Sequence, residues 1–261
     1  ISQDGKYLIV ANNGYAKPTL RVVDLARGYV AQTVTLDDAW LGLAWSPDGT
    51  KLYSSGAASN SVLEFTWCNG RLTKARTLQL APKSEAPTPG TNRPRPTPQS
   101  FVGGVAVSPD GARLAAVHVL GMKVTLVDLA SGQISASVSV PAEVYTALFS
   151  NDGATLFVSL WGGARVMLLD AKTLATKGEV VVGEHPNAMA QAADGRLFVA
   201  CANTNAAWVV DPAAMKATEQ ISVALFPEAP PGSTPNALAL SPDGRRLLIA
   251  NADNNTAALV D

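Results

Sequence analysis

The tetrapeptide Ser46-Pro47-Asp48-Gly49 returns, with small variations, along the whole chain. Its echoes are Ser2-Gln3-Asp4-Gly5, Ser108-Pro109-Asp110-Gly111, Ser150-Asn151-Asp152-Gly153, Ala192-Ala193-Asp194-Gly195 and Ser241-Pro242-Asp243-Gly244. The aspartates stand 44, 62, 42, 42 and 49 residues apart. A period of roughly 40 to 50 residues is that of a propeller blade, a unit that must stack on its neighbours to bury its apolar faces.

Each echo sits between two apolar runs, as Phe101–Val107 and Arg113–Val117 flank Asp110. Proline presets φ for the first corner of a turn and glycine accepts positive φ at its exit, so the motif predicts a tight hairpin. The aspartate is expected to hold the amides of that turn. About 18 residues later a β-rich run closes on a second aspartate: Asp24, Asp128, Asp170, Asp211 and Asp261. A further alternating run, such as 134–140, then follows, giving four short strands per repeat. The expected fold is all-β, a β-propeller of four-stranded antiparallel blades spanning 1–261 as a single domain.

Strands are predicted at 6–11, 19–25 and 29–36 in the first repeat, then 40–45, 51–55, 61–66 and 71–80 in the second. Asn69-Gly70 is the two-residue hairpin signal there. The third repeat covers 101–140, the fourth 143–182 and the fifth 187–224. The sixth has runs at 235–240, 246–250 and 256–261. Ile1 falls at the end of what should be a first strand, and Asp261 ends a third. The chain is therefore expected to be cut at both ends, blade 1 without its first strand and blade 6 without its fourth. The long second interval comes from 81–100, a Pro-rich inserted loop with six prolines. Such a segment cannot pair into a sheet and is expected to be extended. A second Pro-rich stretch, 226–235, lengthens the fifth-to-sixth connection.

Composition narrows the function. Lys and Arg number 20 against 21 Asp and Glu, so no basic excess exists to hold a phosphate backbone, and nucleic acid is not an expected partner. Residues that are 47% hydrophobic never form a run near 18, so no membrane-spanning segment is expected. Cys68 and Cys201 lie in different repeats without CxxC or CxxH company, so neither a disulfide nor a metal site is indicated.

Because consecutive strands are antiparallel, the Ser-Pro-Asp-Gly hairpins fall on one face of the blades. The second-to-third turns and the blade-to-blade connections fall on the other. That loop face collects the candidate ligand-binding residues Trp40, His118, Trp161, Arg165, Glu184, His185 and Asn187. Its carboxylates are Asp37, Asp38, Glu143, Glu184, Glu228 and Asp253. The two tryptophans offer stacking surfaces, and the two histidines could act as ligands or in proton transfer. Each also has a plain structural reading, as turn or packing residue. No Gly-rich phosphate loop, nucleophile elbow or metal-binding helix motif occurs, and no catalytic set or cofactor is expected.

The chain resembles the YVTN-type β-propeller repeat family. The pieces that carry the likeness are Leu8-Ile9-Val10-Ala11-Asn12, Leu197–Asn203, Leu248-Ile249-Ala250-Asn251, His185-Pro186-Asn187-Ala188 and Pro235-Asn236-Ala237, together with the strand-ending Val-Asp pairs. More narrowly, the Pro-rich stretches 81–100 and 226–238 are similar to bacterial proteins in which such a propeller precedes an alkaline-phosphatase-like phosphoesterase domain. That resemblance implies seven blades in the parent, about five and a half to six of them here by the four-strand count. It also implies a periplasmic or extracellular location and a metal-bearing catalytic domain beyond Asp261. Three departures stand out: Glu64-Phe65-Thr66-Trp67-Cys68 replaces the closing aspartate of the second repeat, and Val117-His118 and Leu160-Trp161 replace the strand-ending asparagine.

Two functions follow as expectations. One is a non-catalytic module that binds or scaffolds, its partner being its own C-terminal domain in the parent, another protein, or a small ligand at the channel mouth. The alternative is a lactonase-like hydrolase working from that same face, with His118 or His185 beside an arginine and a carboxylate.

Overall fold

The computed structural model describes residues 1–14, 16–82 and 100–261. Most of the Pro-rich insertion, 83–99, lies outside the described residues. The fold is all-β, with six blades of three or four antiparallel strands in a propeller arrangement. The chain divides into two compact units, Ile1–Ser139 and Val140–Asp261, of three blades each.

In the N-terminal unit, blade 1 holds β1 (Tyr7–Asn12), β2 (Thr19–Asp24) and β3 (Tyr29–Thr35). Blade 2 holds β4 (Leu43–Trp45), β5 (Lys51–Ser55), β6 (Ser61–Cys68) and β7 (Arg71–Gln79). Blade 3 holds β8 (Val102–Val107), β9 (Arg113–His118), β10 (Lys123–Asp128) and β11 (Ile134–Ser139). In the C-terminal unit, blade 4 is β12 (Val144–Phe149), β13 (Thr155–Leu160), β14 (Arg165–Asp170) and β15 (Thr176–Val181). Blade 5 is β16 (Pro186–Gln191), β17 (Leu197–Cys201), β18 (Ala206–Asp211) and β19 (Lys216–Ser222). Blade 6 is β20 (Pro235–Leu240), β21 (Leu247–Asn251) and β22 (Thr256–Val260).

The recurring motif forms the turn its residues dictate. In blade 3 the Ser108 hydroxyl donates to Asp110, Asp110 Oδ1 accepts the Ala112 amide at 3.0 Å, and Gly111 turns at φ +70. The Ser108 hydroxyl also accepts the Arg113 amide at 2.9 Å, so one serine closes both sides of the hairpin. The same serine–aspartate clip recurs at Ser2, Ser46, Ser150 and Ser241. Blade 5 has Ala192 in place of the serine, and Asp194 there holds the amide and guanidinium of Arg196. The closing aspartates do similar work: Asp128 accepts the Ser131 amide, and Asp211 those of Ala213 and Ala214. Blade 2, which lacks that aspartate, turns on Asn69 and Gly70, both at positive φ.

Central strands carry the core. Every residue of β17 is buried, and so are all but the first of β9 and β13, which explains their near-continuous apolar runs. The outermost strands β11, β15 and β19 are largely exposed and alternate polar with apolar residues. Neighbouring blades share apolar clusters: Leu20, Val22, Leu52 and Phe65 between blades 1 and 2, and Phe157, Val166, Val199 and Val210 between blades 4 and 5. Each fully buried side chain of this size contributes about 1.5–3 kcal/mol.

Polar clips fix the blades against one another. Gln32 of β3 donates to the Leu72 carbonyl at 2.9 Å and accepts the Leu72 amide at 2.7 Å, joining blade 1 to blade 2 as a backbone group would. Asn151 does the same between blades 4 and 5, donating to the Ala192 carbonyl while its own amide reaches Gln191. Glu64, the departure noted in blade 2, is 3% exposed and is matched by Lys51 at 2.9 Å and Arg76 at 2.8 Å. Arg76 extends to the Leu129 carbonyl of the blade 3 turn. Burial, with the Glu64 charge beside it, pushes the Tyr53 hydroxyl up to about 12.

Between blades 2 and 3, Gly42 leaves no room for a side chain. A Cβ there would lie 2.5 Å from the Gly103 carbonyl oxygen and 2.9 Å from the Val105 amide nitrogen. Gly42→Ala is expected to lower stability by about 1–3 kcal/mol, the usual cost of overpacking. Gly14→Ala, at a position with nothing within 4 Å, should change it by less than about 0.5 kcal/mol. Urea unfolding of the two variants checks this, and equal midpoints would refute the close approach.

The turn aspartates also set an acid limit. The serine hydroxyl first, then the backbone amide, holds Asp4, Asp48, Asp110, Asp152 and Asp243 below the usual carboxylate range; at Asp194 the Arg196 amide leads. With the folded-state value depressed, their stabilisation is complete above the unfolded value of 3.8 and is lost as pH falls through the folded values. Replacing Asp110 with Asn should flatten the stability loss below about pH 4, measured by chemical denaturation across pH.

Candidate functional site

The two candidate histidines meet different fates. His118, last residue of β9, is fully buried, with Nδ1 against the Ser100 hydroxyl and Nε2 3.0 Å from Thr125 Oγ1. Burial, then the Lys123 charge, lowers its pKa to about 4, so at neutral pH it is an uncharged hydrogen-bonding residue of the blade 3 core. Trp40 is partly buried and packs edge-on against Phe101, centroids 5.3 Å apart at 75°, with its six-membered ring over Gly103. Both are closed by their own neighbours within the N-terminal unit.

The other five candidates lie in the C-terminal unit. His185, in the link from blade 4 to blade 5, stacks flat on Trp161, centroids 3.9 Å apart and planes 10° from parallel. Trp161 opens a single 3₁₀ turn, Trp161–Gly163, after β13, and is 39% exposed. His185 is held at φ +53, a conformation uncommon for a non-glycine residue. Its carbonyl accepts the Ala202 amide at 3.1 Å, so the 3₁₀ turn of blade 5 fixes the link that carries the ring.

Carboxylates flank this pair. A Cβ built on Gly162 would lie 1.9 Å from Glu143 Oε2, so the Glu143 side chain rests where Trp161's neighbour has none. Glu184 is exposed and immediately precedes the stacked histidine. Arg165 is exposed and paired with Glu179 at 2.7 Å across β14 and β15. Asn187 is 3% exposed, donating to the Pro235 carbonyl at 3.0 Å and accepting the Ala188 amide at 2.6 Å, so it ties blade 5 to blade 6. Trp161, His185, Glu184 and Glu143 therefore form the exposed part of the candidate site, with Asn187 beneath as a clip.

In the link, Gly183 sits against Cys201, Thr204 and the Trp208 indole nitrogen, which is buried without a hydrogen-bond partner among the described residues. Burial raises the Cys201 thiol to about 12, and both cysteines are free. The clefts at the short-turn end, about 490 Å³ between blades 4 and 5 and about 410 Å³ between blades 2 and 3, repeat the same turn aspartates and belong to the blade architecture. Among the described residues no group of three or more His, Cys, Asp or Glu is placed to hold a metal ion, and no helix is long and apolar enough to cross a membrane.

The stacking of Trp161 on His185 leaves no trace in the sequence, because 24 residues separate them and neither flanking pattern is periodic. The only sequence signal was their shared assignment to the loop face. No family model and no curated protein matches the chain. The fold defines it as a β-propeller repeat protein.

His118 makes a prediction of opposite origin to the turn aspartates. Its folded pKa lies below the unfolded value of 6.5, so the unfolded chain binds the extra proton between those values and stability falls as pH drops from 6.5 to about 4. His118→Gln should remove that slope, worth at most a few kcal/mol, while leaving the loss that the turn aspartates cause below about pH 4. Denaturation midpoints between pH 7 and pH 4 that track wild type would contradict the buried neutral imidazole.

Proposed function

We propose that the chain is a non-catalytic binding and scaffolding module that works from the loop end of its blades. The observation that carries this reading is the Trp161–His185 stack: two rings held face to face at a blade junction, one of them 39% exposed, by a backbone strained at φ +53. Exposed aromatic surface and strained backbone both concentrate where ligands dock. The short-turn end, by contrast, spends its polar groups on its own backbone.

In the parent protein this module accompanies a phosphoesterase domain and is exported to the periplasm or beyond. The support is the resemblance of the repeat and of the Pro-rich stretches to propeller–phosphoesterase fusions. A further blade is supported by blade 6, where Leu248 and Leu259 are 46% and 60% exposed although both lie in strands.

Hydrolysis assays test the reading. The 261-residue chain is expected to leave aryl phosphate esters and lactones at the background rate, and the full-length parent to hydrolyse the phosphate ester in a metal-dependent way. Lactone hydrolysis by the chain that disappears in His185→Asn would replace the binding reading with the hydrolase alternative.

A further inference from the structure

Charge is unevenly divided between the two ends of the C-terminal unit. Its cations are Arg165, Lys172, Lys177, Arg196, Lys216, Arg245 and Arg246. All but Arg165 lie in, or within two residues of, the turns at the short-turn end, by their places in the strand order. Arg165 is neutralised by Glu179 at 2.7 Å. The loop end nevertheless carries Glu143, Glu184, Glu228 and Asp253, all exposed and none in a salt bridge among the described residues.

Apolar surface accompanies that charge. Trp161 is 39% exposed with one face against His185, so its solvent-facing area lies off that stacked face. Leu225 and Phe226, in the connection from blade 5 to blade 6, are 61% and 59% exposed. A part-exposed indole flanked by exposed carboxylates suits a donor-rich cation.

We infer that the loop end of the C-terminal unit docks a basic, arginine- or lysine-bearing segment of a partner polypeptide. A guanidinium or ammonium group covers the exposed surface of Trp161, and Glu143 and Glu184 supply the countercharge. This rests on the binding reading given above and specifies its partner. Acidic segments are rejected by the same carboxylates.

Fluorescence anisotropy of a labelled oligo-arginine peptide, titrated with the 261-residue chain, tests it. Trp161→Ala should weaken binding by about tenfold, the scale of a cation–π contact at a partly desolvated site. Glu143→Gln combined with Glu184→Gln should weaken it several-fold and reduce its salt dependence. Trp161→Phe, which keeps an aromatic face, should retain part of the affinity. Glu219→Gln, an exposed carboxylate in mid-strand on β19, should bind as wild type does. Matching thermal midpoints confirm that the variants fold. If oligo-glutamate binds as tightly as oligo-arginine, or if Glu143→Gln/Glu184→Gln and Glu219→Gln are indistinguishable, the basic-partner inference is overturned. Should Trp161→Ala then still abolish binding of a neutral peptide, the binding module itself stands; if no loop-end variant alters any probe, both fall.

Discussion

Strands buried on both faces cannot be satisfied by a single sheet. In β9, β13 and β17 almost every side chain is enclosed, so each blade needs an apolar neighbour on either side. Stacking of blades follows from that requirement, and so does the closeness that only glycine permits at Gly42. The side-chain amides of Gln32, Asn151 and Asn187 then fix the relation of adjacent blades at points where apolar packing alone would leave them free to slide.

From this packing comes a division of labour between the two ends of each blade. At one end the chain must reverse over about five residues, as 108–112 do between β8 and β9, and the Ser–Asp clip and positive-φ glycine do this in nearly the same way each time. At the other end the chain must cross to the next blade, over variable lengths, and its residues are held case by case. Asn205 grips the Pro-rich link of blade 5 through the Pro230 carbonyl and the Gly232 and Ser233 amides. Asn60, at the corresponding start of the third strand in blade 2, reaches the Pro82 carbonyl at 2.7 Å. Both asparagines sit at positive φ. Anchored but unrepeated segments of this kind are where a propeller can vary its surface without disturbing its core.

Much of the fold was legible because turn chemistry is local. Each Asp-Gly carries its own φ requirement and its own hydrogen bonds, so six echoes announce six turns, five of which join two strands, and Asn69-Gly70 announces the hairpin between β6 and β7 where blade 2 lacks its closing aspartate. Strand limits were less legible: 40–45 was expected as strand, but β4 is Leu43–Trp45, because Trp40 turns into the packing with Phe101 and Gly42 must abut the neighbouring backbone. The site was legible only as a list. Sequence placed Trp161, His185, Glu184 and Asn187 on one face, but exposure separates them: Asn187 turns inward to Pro235, and His185 turns outward to Trp161. His118 gave no sign that Ser100 and Thr125 would take both its nitrogens: Thr125 meets it across the β9–β10 pair, and Ser100 comes from the chain just after the Pro-rich insertion.

The most direct test of this account is amide hydrogen exchange along the whole chain. Central strands Arg113–His118, Thr155–Leu160 and Leu197–Cys201 should exchange slowest, close to the limit set by global unfolding, while 161–164 and 183–185 exchange faster. Loop-end amides as protected as those strands, or central strands that exchange as readily as the outer strands β11 and β19, would contradict it.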